Sequence, residues 1–455
     1  MANGDPASGL LEPLFTTGPM ASVFSDAARL QGMLDFEAAL ARALAGRGLL
    51  PRSAAAAIAG ECRAELYDIA GLGRAAATAG NPAIPLVREL TARVGRRDAA
   101  AAGWVHTGAT SQDAMDTGLV LQLRAALDLL GSDLAGLSAA LAGLAREHAD
   151  EVLAGRTWLQ QAPPVTLGLK AAGWLDAVER HRQRLAALRP RLLVLQFGGA
   201  VGTLASLGEK GMDVAAALAD ELSLSLPHVP WHTHRDRLAE LAATLGLVTG
   251  TLGKMARDVS LLMQTEVGEA LEPGGPGRGG SSTMPHKRNP VSCAITLGAA
   301  TRMPGLVATM LAALVQEHER GLGTWHAEWE TLPEICRLTA GALREMTAAS
   351  EGLETHPGRM CANLQITRGL LMAEAVSLAL ASSLGREKAH ELVAGACRRA
   401  VEQERTLREV LAAEEQVRGL LDEAELDRLL DPAGYLGAAR VLVERVLAAR
   451  DQSSN

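Results

Sequence analysis

Seven leucines, Leu123, Leu127, Leu130, Leu134, Leu137, Leu141 and Leu144, recur at alternating steps of four and three. That spacing runs an apolar seam along one face of a single long helix, which is stable only when the seam packs against neighbouring helices. Gly131, Gly136 and Gly143 interrupt the same stretch. Each weakens a helix by ~1 kcal/mol, so burial of the leucines must offset them, and close helix–helix approach is one use for such glycines. Helical spacing returns at 164–188, with Leu167, Ala171, Trp174 and Val178 on one face, and again at about 235–269, 290–319 and 332–353. Thr233 with Asp236 resembles a capping box at the start of the second of these. Helices this far above the ~11-residue average suit an elongated bundle, and an oligomer that buries their second faces. Aromatic residues are 3% and period-two runs of Val, Ile and Thr are almost absent, so strands are not expected.

The 455 residues carry 44 Lys+Arg against 52 Asp+Glu, a net charge of -8. No basic surplus points to nucleic acid or to an anionic membrane, and an anionic substrate must be attracted by local groups. Cys62, Cys293, Cys336, Cys361 and Cys397 are scattered and odd in number, which indicates neither a disulfide framework nor a zinc site. No signal peptide and no uninterrupted apolar run of ~18 residues is apparent, so a cytoplasmic protein is expected. Shorter helices broken by Gly and Pro flank the long ones. Three all-helical domains are therefore expected, at 1–110, 111–355 and 356–455.

Residues 273–280 read PGGPGRGG, which can be neither helix nor strand. The run leads into the polar cluster Ser281-Ser282-Thr283-Met284-Pro285-His286-Lys287-Arg288-Asn289-Pro290, the makeup of an active-site lid. Gly275 to Gly280 match GxGxxG, but a helical pattern precedes them and no βαβ unit surrounds them. Ser281-Ser282 stand where a P-loop needs Lys-Ser/Thr.

The cluster GSSTMPHKRNP resembles the signature of the fumarase/aspartase superfamily. His106-Thr107-Gly108-Ala109-Thr110-Ser111-Gln112-Asp113 is similar to a second region of that family, and Thr157 to Gly168, TWLQQAPPVTLG, to a third. The three fall in the family's order along essentially the whole chain. The resemblance implies an all-α, three-domain subunit with a central long-helix bundle. It also implies a homotetramer whose active sites are shared between subunits, and anti addition or elimination beside a carboxylate. No metal or other cofactor is implied.

By that resemblance Ser281 is the catalytic base. Its alkoxide needs stabilisation, for which Lys287, the glycine-loop amides and the N-terminus of the following helix are candidates. Lys287 and Asn289 are also candidates to bind the activating carboxylate. Thr110 and Ser111 offer short hydroxyl donors, with His106 and Thr107 facing the same pocket. Ser282 and Met284 complete the lid's share of the binding set. Read as helical, Thr157 and Gln160 are i,i+3 neighbours that present donors together.

Trp158 stands where lyases of this superfamily carry a histidine that protonates the leaving group. An indole does no acid–base work near neutral pH. A carboxylate leaving group, with a pKa of ~4, needs no such acid. That points to the superfamily's cycloisomerase branch, which closes a lactone on a carboxylated cis,cis-muconate, a small tricarboxylate, in aromatic catabolism. Asn81 to Val87 and Trp231-His232-Thr233 resemble the same branch. Trp325 and Trp329 occupy places that bind a nucleotide phosphate in adenylosuccinate lyase, while Glu328 is retained without the histidine it supports there. A carbon–nitrogen lyase acting on a succinyl adduct is the alternative, and a non-catalytic structural protein on this fold a third. His228, His232 and His234 read as a helix-entry loop, from which Arg235 or Arg237 can reach an anionic substrate.

Overall fold

The computed structural model describes residues 9–275, 277–280 and 283–453. Six helices matter for the site: α1 (Asp26–Gly46), α2 (Ser111–Glu147), α3 (Leu167–Leu192), α4 (Asp236–Leu262), α5 (Val291–Ala312) and α6 (Thr324–Glu351). All seven leucines of the α2 stripe are buried. At ~1.5–3 kcal/mol for each buried leucine, the stripe far outweighs the three glycines. Those glycines are not approach points within the chain, because a Cβ added at Gly131, Gly136 or Gly143 would meet nothing within 4 Å. The close crossing lies elsewhere, between α1 and α2, where a Cβ on Gly32 would sit 2.8 Å from the Gly118 carbonyl oxygen.

Helix α6 starts at Thr324, ahead of the expected 332, and contains Pro333 in its interior. Proline has no N–H for the carbonyl four residues back, which is that of Trp329. Arg29 Nη2 fills the vacancy, donating to Trp329 O at 3.0 Å. Thr233 does not cap α4: among the described residues no helix amide donates to its hydroxyl, which itself donates to His318 O at 2.9 Å.

The chain divides into two compact units. The first takes residues up to 135, 181–253 and 295–345, and the second takes 136–180, 254–294 and 346 onward. Each change of unit falls inside one of the helices α2 to α6. In the first unit Phe36 of α1 lies against Phe197, ring centroids 6.2 Å apart, and the buried Trp231 indole donates to Leu195 O at 3.0 Å. In the second unit Leu153, Leu167, Leu262, Ala270 and Met360 form one core cluster. A second cluster joins α7 (Ala373–Leu384) and α8 (Arg386–Glu402) through Val376, Leu380, Val393 and Ala396.

The second unit also contains strands that the sequence does not announce. β1 (Val152–Thr157) pairs antiparallel with β2 (Gln160–Thr166). Pro163 and Pro164 hide β2, since proline is a poor strand former. A bulge at Ala154/Gly155 accommodates them. Only glycine fits there, as a Cβ on Gly155 would lie 2.4 Å from Pro163 O. A two-residue pair, β3 (Ala270–Leu271) with β4 (Glu354–Thr355), closes the base of the 273–290 segment.

Helices α2 and α5 are long and apolar enough to cross a membrane by length and composition alone. Charged residues interrupt both, Asp116, Arg124 and Asp128 in α2 and Arg302 in α5. The apolar stripe of α2 is spent on the core.

Candidate functional site

In the first unit the HTGATSQD turn is built around a buried carboxylate. Asp113, in the first turn of α2, accepts from Thr110 N (3.0 Å), Gly198 N (3.1 Å), Gly199 N (2.9 Å) and Gln196 Nε2 (3.1 Å), and meets His232 Nε2 at 2.7 Å. A buried carboxylate requires this degree of satisfaction. It ties the turn to the 196–199 loop and to the entry of α4. His232 thereby finds its role, and His228 and His234 take no part in these contacts.

His106 sits on this turn with a left-handed backbone, φ 60°. Its Nδ1 meets Glu37 Oε1 of α1 at 2.5 Å. Burial alone pulls the imidazole pKa down, but the charge and hydrogen bond of Glu37, with the charge of Asp113, hold it above its ordinary value. The Thr107 hydroxyl is turned inward, donating to Trp104 O at 2.8 Å. Thr110 and Ser111 are half-buried, and neither hydroxyl has a hydrogen bond among the described residues.

Arg235 does not reach out toward a substrate. It is fully buried, donating to both carboxylate oxygens of Asp116 (2.6 and 3.0 Å) and, through Nε and Nη2, to Glu328. Glu328 also accepts from Gln316 Nε2 at 3.2 Å. Burial, with the Asp116 charge beside it, holds Glu328 above the usual carboxylate range in spite of Arg235. Its role here is to balance a buried guanidinium. The Trp325 indole donates to Asp116 Oδ1 at 3.2 Å and stacks edge-on against Trp329 at 4.9 Å, so neither ring offers a phosphate-binding pair.

In the second unit Thr157 and Gln160 are partners across the end of the β1–β2 hairpin, not neighbours on a helix. Trp158 and Leu159 form the turn, with φ 52° and 65°, and Trp158 is 98% exposed. Positive φ at both central residues is the geometry of the tight hairpin turn, normally filled by Asn-Gly. An exposed tryptophan held there carries ~1–3 kcal/mol of backbone strain, a mark of positions kept for function.

Ser281 and Ser282 lie outside the described residues. The segment that follows them is anchored at its far end. Arg288 donates to both oxygens of Glu354 (2.7 and 2.8 Å) and to Glu272 O at 2.6 Å. Asn289 N donates to Gly279 O at 2.8 Å. Between these anchors Met284 and Lys287 are exposed, and the Lys287 ammonium has no hydrogen bond among the described residues. The N-terminus of α5 is not open to a substrate or an alkoxide at Ser292 and Cys293. The buried Glu272 carboxylate accepts from Ser292 N (2.9 Å) and Cys293 N (2.8 Å), complementing the helix dipole itself.

Glu37 and Glu272 are the residues that sequence reasoning passed over. Glu37 had a signal. Leu30, Met33, Glu37, Leu40 and Leu44 follow steps of three and four, so a carboxylate occupies a core position of α1. Glu272 had none, because its partners are backbone amides twenty residues on.

Residues 15–305 match the lyase family, and residues 369–446 match the adenylosuccinate lyase C-terminus. The chain belongs to the lyase family, within the fumarase/aspartase superfamily. It is 65% identical to the 3-carboxy-cis,cis-muconate cycloisomerase of Pseudomonas aeruginosa, over 97% of this chain and 96% of that protein. It is 43% identical to the nitrosuccinate lyase of Streptomyces davaonensis, over 98% of this chain and 96% of that one. The crystal structure of the 3-carboxy-cis,cis-muconate lactonizing enzyme from Pseudomonas putida superposes with a TM-score of 0.94 at 59% identity, covering 98% of this chain and all of that one. The all-α fold expected from the sequence is the fold found.

Proposed function

We propose that this chain is a 3-carboxy-cis,cis-muconate cycloisomerase, an intramolecular lyase that forms 4-carboxymuconolactone. The observation that carries the reading is 65% identity along nearly the whole chain to an enzyme of that name. Trp158 agrees with it. In the lactonising direction a substrate carboxylate oxygen adds to the conjugated double bond, the electron pair moves to the carbon alpha to a second carboxylate, and that carbon takes a proton. The reverse step expels a carboxylate, for which no general acid is needed at position 158.

In this reading Ser281 exchanges the proton at the alpha carbon. Lys287 and Asn289 receive the charge that builds on the activating carboxylate. His106, Thr107, Thr110, Ser111, Thr157, Trp158, Gln160, Ser282 and Met284 bind the tricarboxylate. The exposed end of the hairpin and the exposed Leu311 of α5 support a homotetramer with sites shared between subunits. The division into segments 1–110, 111–355 and 356–455 belongs to the same reading. A cytoplasmic location is supported by five free cysteines, of which Cys62, Cys293 and Cys336 are buried. Burial pushes the Cys336 thiol up to about 12, so it is inert.

The test is the ultraviolet absorbance of 3-carboxy-cis,cis-muconate mixed with the purified protein, with and without chelator, beside Ser281→Ala. Rapid loss of the diene band, indifferent to chelator and abolished in the variant, is expected. An unchanged band overturns the reading and directs attention to succinyl-adduct lyase substrates.

A further inference from the structure

We infer that Glu37 is a positioning residue that keeps His106 as an imidazolium, and that its free Nε2–H grips one carboxylate of the substrate. The inference rests on the proposed tricarboxylate substrate and deepens that reading.

The geometry begins with Glu37. Its side chain is 1% exposed, and among the described residues its only hydrogen-bond partner is His106 Nδ1 at 2.5 Å. Glu37 Oε2 is buried without a partner. An ionised carboxylate in this position requires a counter-charge, because an unpaired buried charge costs several kcal/mol. No lysine or arginine forms an ion pair with Glu37 among the described residues, which leaves the imidazole as the cation. The charged groups that face His106 are the carboxylates of Glu37 from α1 and Asp113 from α2. Asp113 is itself bonded to His232. Both neighbours therefore favour the protonated ring, and His106 stands above its ordinary value.

Orientation follows from the same contact. With Nδ1 committed to Glu37, Nε2 is the remaining donor, and it has no hydrogen bond among the described residues. The His106 side chain is 16% exposed, so the ring is reachable from solvent. The left-handed backbone at His106 holds it in that pose at a strain cost. The unpartnered hydroxyls of Thr110 and Ser111 lie on the same turn. A chain of net charge -8 needs a local cation to hold a trianion, and no lysine or arginine occurs between residues 98 and 123. A charge-assisted N–H with two hydroxyls suits a carboxylate.

The sign with pH is definite. Anion binding persists below the raised His106 pKa and weakens as pH rises through it. Glu37→Gln keeps the shape and removes the charge, so the loss begins at lower pH.

The test is NMR titration of nitrogen-labelled histidine in the unliganded protein, wild type and Glu37→Gln. It is paired with inhibition by propane-1,2,3-tricarboxylate, an unreactive anion, measured across pH. We expect a protonated His106 at pH 7 in wild type and a titration at least one pH unit lower in Glu37→Gln. The inhibition constant should rise tenfold or more at pH 7.5, with KM moving more than kcat. His106→Gln should remove the pH dependence of inhibition. A neutral His106 at pH 7 in wild type, or the same titration in a natively folded Glu37→Gln, overturns the inference. If Glu37→Gln does not fold, the wild-type titration and the inhibition profile of His106→Gln decide. The titration needs no turnover, so its result stands apart from whether the muconate is lactonised.

Discussion

Arg235 meets Glu328 through two nitrogens, Nε at 3.0 Å and Nη2 at 2.6 Å, and both side chains are 1% exposed. The same guanidinium also serves Asp116, so one cation is shared by two buried carboxylates. The balance of charge is unfavourable without Arg235. Arg235→Met should cost about 3–5 kcal/mol, the scale for stranding buried charge. Urea denaturation followed by circular dichroism measures it. A loss below 1 kcal/mol would mean that solvent reaches the carboxylates.

The pH dependence of Glu328 gives a second expectation. Burial holds its carboxyl above the ordinary range. A raised pKa makes its contribution to stability fully present below the unfolded value, and lost as pH rises through the folded one. Glu328→Gln cannot ionise. The stability difference between wild type and Glu328→Gln should therefore shift toward the variant as pH climbs from about 4. Denaturant midpoints for both proteins at a series of pH values test this, and parallel curves would contradict it.

The α1–α2 crossing at Gly32 and Gly118 can be tested directly. A Cβ on Gly118 would come within 2.9 Å of the Gly32 carbonyl carbon, backbone that has no side-chain freedom to yield. Gly118→Ala should cost about 1–3 kcal/mol, as overpacking does, against the gain usual for Gly→Ala inside a helix. Gly131→Ala, in the same helix with open space at its Cβ, is the control and should be neutral or stabilising in the monomeric fold.

The fold was legible because its signals are local and repeated. The α2 leucines specify a helix and its buried face together, and every one is buried. The β1–β2 hairpin was hidden because Pro163, Pro164 and Gly155 each argue against a strand alone, and only their pairing across the bulge reconciles them. For the candidate site, residues tied to a motif were visible, whereas their supports were not. Asp113 was read as part of a pattern, but its hold on Gly198, Gly199 and His232 depends on contacts across more than eighty residues. Of Arg235 and Arg237, the two arginines the sequence offers to an anionic substrate, Arg235 is already claimed by Asp116 and Glu328, which sequence alone cannot show.

Glu272 links the start of the 273–290 segment to the helix that follows. Its carboxylate satisfies two amides at the α5 N-terminus, while its carbonyl receives Arg288. Glu272→Ala should cost about 1–3 kcal/mol through unpaired buried amides. It should also lower kcat on the proposed substrate, because Lys287 and Asn289 ride on the segment that Glu272 and Arg288 anchor. Steady-state kinetics beside a melting curve check both parts. A fall in stability with unchanged kcat would confine Glu272 to structure.

The hairpin tip allows fold and function to be separated at one place. Trp158 and Leu159 are exposed and occupy positive φ, so neither contributes to the core. Replacing them together, Trp158→Asn with Leu159→Gly, supplies the residues such a turn prefers and relieves backbone strain. Stability should hold or rise by up to about 1 kcal/mol. If the tip binds substrate, kcat/KM should nevertheless fall tenfold or more. Trp158→His gives the complementary arm. It restores the imidazole of the superfamily's lyases, yet lactonisation should not improve, because the attacking carboxylate is already ionised and its departure in the reverse step needs no acid. A doublet variant with full activity would remove the hairpin tip from the site. A gain in lactonisation from Trp158→His would instead show that an acid–base group at this position takes part in the addition step.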